Sequence, residues 1–253
     1  MNQNSNYYIN LQQWIKTIFI VCICFEIILV IFDLVFNYLD VLDELYIRRI
    51  WNVAREQSIP TWFAATQTQL LGVTVLVCGF VQQKQIPRWQ FYSWLFFGLF
   101  FLWVGIDDAA EIHEKLGTAI DNKFGQNIES DALITQSYSW QLYIAPIFSL
   151  IGLFLVAFFG KLFYEQGLFG YLFFGLGCWV VSQMLDFTEG LEQIDAIYID
   201  IGNMVNAPDD YLVPHTSKLI EEYLEMLGTT LLWVGYLKYL ANLLIDRELK
   251  FVR

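Results

Sequence analysis

Residues 90–117, QFYSWLFFGLFFLWVGIDDAAEIHEKLG, decide how the whole chain reads. The first half is almost wholly apolar and aromatic. The second half gathers Asp107, Asp108, Glu111, His113 and Glu114 within two helical turns. A helix needs about 20 predominantly apolar residues to cross a bilayer, and this stretch supplies them before ending in carboxylates. The stretch therefore predicts a membrane span with an ionisable site at its end.

Similar apolar runs recur along the chain. Of its 253 residues, 57% are hydrophobic, 18% aromatic and 16% charged, against about 25% charged in an ordinary soluble domain. The expectation is an all-α polytopic membrane protein, one transmembrane domain over 1–253 with a six-helix bundle. Its spans run at approximately 14–36, 60–82, 90–110, 140–163, 168–188 and 219–244. Long connections (37–59, 111–139 and 189–218) alternate with short ones, which implies three hairpins with the long loops on one face. No basic residue precedes Lys16, and the apolar run after it is too long for the apolar region of a secretory signal, so none is expected. The formal net charge of −12 argues against nucleic acid and anionic headgroups as partners. The bilayer remains as the expected partner, with room for a homo-oligomer.

Basic residues near span ends set the orientation. Lys16, Lys84, Arg88, Lys161, Arg247, Lys250 and Arg253 lie on one side, concentrated in short segments. Arg48, Arg49, Arg55, Lys115, Lys123 and Lys218 lie on the other, spread over long loops. Both termini are therefore expected in the cytoplasm of a cell-membrane protein, with the acidic loops facing outward.

The acids after span three are not alone. Asp108, Glu111 and Glu114 form a D-x-x-E-x-x-E string, which Asp186, Glu189 and Glu192 repeat after span five. Glu221, Glu222 and Glu225 open span six. On one continuous helix, Asp107, Glu111 and Glu114 would share an arc of about 60°. Acids suit the start of a helix but oppose the dipole at its end, so the first two groups call for compensation. Near a low-dielectric bilayer the requirement grows. Lys218 can pair with Glu221 or Glu222, but no basic residue lies within a turn of Asp186 and Glu189. Both histidines, His113 and His215, fall beside these clusters. Carboxylate with imidazole suits iron, manganese or zinc, and carboxylate alone suits calcium, magnesium or manganese. A divalent metal held by Asp107, Asp108, Glu111, His113, Glu114, Asp186, Glu189, His215, Glu222 and Glu225, where spans three, five and six converge, is the resulting expectation.

Glu26 and Asp33 lie seven residues apart on one face of span one. Intramembrane acids either mark an ion or proton path or are protonated and hydrogen-bonded at a helix contact, with Thr or Tyr from another span. Cys22, Cys24, Cys78 and Cys178 all fall in apolar runs and imply no disulfide framework.

"DDAAE" resembles the aspartate-rich motif of prenyl-transferring enzymes, but the segments lack the basic residues that hold diphosphate. A broader resemblance rests on "IPTWFAATQ" (59–67) and "DDAAEIHE" (107–114). Together they resemble an uncharacterised group of bacterial multipass membrane proteins with I-P-T-W-F before one span and D-[DE]-A-x-x-x-H-E after the next. The resemblance implies the membrane class and no activity. Two functions are expected of such a chain. One is a membrane metalloenzyme acting on a lipid-soluble substrate. The alternative is a non-catalytic protein that handles cations, as transporter or channel, or carries a structural metal.

Overall fold

The computed structural model describes residues 3–39, 41, 44–124, 140–189, 191, 193–207 and 211–251, without the side chains of 3–9, 114, 120–124, 140–143 and 246–251. Glu192, the side chains of Glu114, Lys123, Arg247 and Lys250, Arg253, and the 125–139 part of the second connection thus lie outside the described residues.

Every regular element among them is helical. In order they are α1 (Gln3–Asp33), a π-helical turn (Leu34–Tyr38), α2 (Leu45–Trp51), α3 (Ile59–Gln82), α4 (Arg88–Ala110), α5 (Ile112–Phe124), α6 (Trp140–Glu165), α7 (Phe169–Glu189), α8 (Ile194–Val205) and α9 (Leu212–Phe251). Among the described residues, four segments are long and apolar enough to cross a membrane: Asn10–Tyr38, Ile59–Gln82, Arg88–Ala110 and Ile144–Glu165. The connections expected as long loops carry α2, α5 and α8. α9 also starts earlier than the expected span six. Glu221 therefore sits more than two turns inside the helix, too deep for the N-terminal dipole to account for it.

Local sequence explains several boundaries. The Ser58 hydroxyl accepts the Thr61 backbone N–H at 3.2 Å with Pro60 in the first turn, so the I-P-T-W-F string is a capped helix start. α4 stops at Glu111, which adopts the left-handed conformation (φ 53°, ψ 41°). That break separates Glu111 and Glu114 from the helix of Asp107, so the single acidic arc expected from the sequence does not form.

α9 is the central helix and packs against α1, α3 and α7, while α3 and α4 form the closest hairpin. Small residues set these crossings. A Cβ added at Gly72 would lie 2.8 Å from the Gly98 carbonyl oxygen, and one at Gly228 2.8 Å from that of Gly175. Close backbone approach of this kind is how apolar helices gain contact when burial alone favours none. Aromatic rings then tie α4, α6 and α9 together. Trp94 meets Phe159 at 4.7 Å between centroids, Phe159 meets Tyr236 at 5.1 Å, and Phe163 meets Tyr236 at 4.8 Å. Large apolar side chains face outward along α1, α6 and α7, among them Ile28, Leu150, Leu153, Phe173 and Phe174.

Candidate functional site

The π-helical turn after α1 is the first element of the site. Its Leu39 N–H reaches back to the Leu34 oxygen at 3.1 Å, which widens the helix and brings Asn37 and Tyr38 beside Asp33. Asp33 is fully buried and accepts on both oxygens. Asn37 Nδ2 (2.9 Å) and the Val53 backbone N–H (3.1 Å) bond Oδ1, and His215 Nε2 bonds Oδ2 at 2.9 Å. The other ring nitrogen, Nδ1, lies 2.9 Å from the Tyr211 hydroxyl. The network assigns the tautomer: Nε2–H donates to the carboxylate, and Nδ1 accepts from the phenol. Tyr38 and Tyr211 also pack on the imidazole, each with centroids 4.9 Å away. A carboxylate–imidazole–phenol chain thus runs from the end of α1 through the first turn of α9.

That chain ends at a cleft of about 420 Å³. Arg55, Glu189, Asp195, Tyr198, His215 and Lys218 are among its walls. Burial pushes the Tyr198 phenol up; the Ser217 hydrogen bond offsets this in part, while Glu189, Glu221 and Asp195 add to it. The phenol therefore stays neutral. Lys218 behaves differently. Burial pulls its ammonium down, but Glu222, Glu221 and Asp186 push it up by more, and it stands well above the usual lysine range.

Lys218 is the cation that sequence spacing missed for Asp186. From α9 it reaches Asp186 on α7 at 3.6 Å, as well as Glu221 at 2.6 Å and Glu222 at 3.9 Å. One turn further along, Glu225 accepts from Ser182 Oγ at 3.0 Å and Gln183 Nε2 at 3.1 Å. Asp108, at the end of α4, lies within electrostatic reach of Glu225, Glu56, His113 and Asp107. Ends of α4, α7 and α9 thus share one charged region.

His113 pairs with Asp107 at the edge of this region. Because the chain turns at Glu111, the His113 backbone N–H bonds Asp107 Oδ1 at 2.9 Å and its ring Nδ1 lies 2.7 Å from Oδ2. Lys115 donates to the Ala110 carbonyl at 2.8 Å and faces Glu111 at 3.6 Å, answering the negative end of α4. Glu26 lies in the bundle interior, where Oε1 accepts from Thr230 Oγ1 at 2.6 Å and Gln67 Nε2 at 3.1 Å.

The expected ligands are therefore divided among separate partnerships: Asp107 with His113, Glu111 with Lys115, Asp33 with His215, and Asp186, Glu221 and Glu222 with Lys218. Among the described residues, no group of three or more His, Cys, Asp or Glu side chains is placed to hold a metal ion. Basic and hydrogen-bonding groups supply part of the compensation that the sequence assigned to a cation. Sequence reading also missed Tyr211, Asn37, Gln67 and Thr230. Of these, Tyr211 carried a local signal, four residues before His215 and hence one turn away on the same face.

Residues 18–240 match a family described as Domain of unknown function (DUF8692). The chain belongs to that family. No curated protein and no solved structure matches it. Membership thus agrees with an uncharacterised group and brings no chemistry of its own.

Proposed function

We propose that this family member is a six-span membrane protein that handles cations, protons above all, at its outer end. The observation that carries the reading is Asp33. A carboxylate wholly buried at the end of an apolar helix is joined through His215 to Tyr211 in the wall of a polar cleft. Ionisable groups at membrane depth are costly and in general mark ion paths or proton relays. Imidazole can pass a proton between its two nitrogens by taking one and releasing the other. The outward-facing Phe173, Phe174, Val180 and Met184 of α7 support a fifth span, and α9, enclosed by three helices, a sixth. Exposed Ile47 and Ile50 on α2 and Ile197 and Met204 on α8 suit the headgroup level. The basic short connections support cytoplasmic termini in a cell membrane.

Purified protein in liposomes loaded with a pH-sensitive dye tests this. An imposed cation gradient should change the internal pH, and Asp33→Asn and His215→Phe should each abolish the change while the protein still folds. Intact transport in both variants would refute the reading.

A second reading keeps the divalent metal, as iron, manganese, zinc or calcium, and with it a membrane metalloenzyme for a lipid-soluble substrate. It is favoured by Asp108, which lies within electrostatic reach of Glu56, Glu222 and Glu225. Stoichiometric metal in purified protein, lost on Glu222→Gln or Glu225→Gln, would support it over proton handling.

A further inference from the structure

Glu26, Gln67 and Thr230 come from α1, α3 and α9 and meet in the middle of the bundle. Glu26 and Thr230 are fully buried, and Gln67 is 2% exposed. One carboxyl oxygen is well served, because Oε1 accepts from both the Thr230 hydroxyl and the Gln67 amide. Gln67 Nε2 also lies 2.7 Å from Thr230 Oγ1. The other carboxyl oxygen, Oε2, has no partner among the described residues, and neither has Gln67 Oε1. Two buried acceptors on one hydrogen-bonded pair cannot satisfy one another. Each unpaired buried polar atom costs on the order of 1–3 kcal/mol, and an ionised carboxylate in apolar surroundings costs more.

A single proton on Oε2 removes both deficits. The carboxyl becomes a donor to the carboxamide oxygen while its carbonyl continues to accept from the amide, the pairing of an acid with an amide. We propose that Glu26, Gln67 and Thr230 form an intramembrane proton-binding site that carries one exchangeable proton on Glu26 at neutral pH. The titratable groups facing it are Cys22 on its own helix and Tyr223 on α9, and α3 brings no charged side chain. None of these supplies a cation to hold Glu26 ionised. Leu29, between Glu26 and Asp33 on α1, packs with Ala64 of α3 and Met226 of α9. This apolar layer separates the site from the Asp33–His215 pair, so the inference stands whether or not the outer cleft passes ions.

Infrared difference spectroscopy on the full chain in liposomes, wild type against Glu26→Gln, tests the site. The expected result is loss of one neutral-carboxyl carbonyl band that shifts in heavy water, with the carboxylate bands unchanged. Gln67→Leu removes the acceptor and keeps Glu26, so the same band should move to higher frequency, which preserves the test if Glu26→Gln fails to fold. Loss of carboxylate bands instead would overturn the proposal, showing an ionised Glu26 held by water. A neutral-carboxyl band abolished by added sodium at fixed pH would overturn it in favour of a metal-cation site. A band unmoved by Gln67→Leu would overturn the acid–amide pairing.

Discussion

Lys218 gathers three carboxylates from two helices, and its side chain is a quarter exposed. Removing one partner of such a pair leaves the others without compensation. Lys218→Met should therefore destabilise the protein by about 3 kcal/mol, the low end for breaking a buried ion pair, read as a lower unfolding midpoint in detergent. Lys218→Arg should retain most of the stability. The sign of the pH dependence follows from the direction of the shift. Its folded-state pKa lies above the unfolded value, so the stabilisation is fully present below the ordinary lysine pKa. It is lost only as the pH climbs through the raised value. The Lys218→Met deficit should thus be present at neutral pH and shrink in strongly alkaline solution. Its partnership with Asp186 was not legible in sequence. Helical spacing links Lys218 to Glu221 and Glu222 on its own helix, whereas Asp186 lies on α7, and only the α7–α9 crossing joins them.

At the scale of elements, the helices themselves were legible because long apolar runs leave few alternatives. The six expected spans fall on α1, α3, α4, α6, α7 and α9, of which four contain segments meeting the length and apolarity of a membrane crossing. The breaks between helices were not legible. Glu111 adopts a conformation that costs a non-glycine residue about 1–2 kcal/mol, and nothing in "DDAAEIHE" announces it. That one residue turns His113 back onto Asp107 and dissolves the expected acidic arc. The crossings were also hidden, since which glycines meet depends on register. Gly72 faces backbone atoms of α4, so Gly72→Ala should force α3 and α4 apart and lower the melting temperature of the purified protein. Gly152, with open space beside it on α6, provides the control. Gly152→Ala should leave melting unchanged or raise it slightly, by the roughly 1 kcal/mol propensity gain of alanine in a helix. Equal losses in both variants would count against the α3–α4 contact.

Across the whole molecule, the acids divide by depth along α1 and α9. Glu26 meets Thr230 in the interior, Asp33 meets His215 beside the cleft, and Lys218 gathers Asp186, Glu221 and Glu222. The sequence showed that acids and histidines cluster beside apolar runs, because that much is composition and spacing. It could not show which acid pairs with which base, since the partners lie up to 204 positions apart, as Glu26 and Thr230 do. The proposed handling of protons rests on His215 as the link between Asp33 and the cleft, and the chain's two histidines make that link directly observable. Nuclear magnetic resonance of the full chain labelled at histidine with nitrogen-15 should show two imidazoles, separable by a His113→Gln variant. The His215 signal should be that of the Nε2–H tautomer, with an Nδ1 resonance that shifts when Tyr211→Phe removes the phenol hydrogen bond. An Nδ1–H tautomer at His215, or an Nδ1 resonance unmoved by Tyr211→Phe, would contradict the link between Asp33 and the cleft.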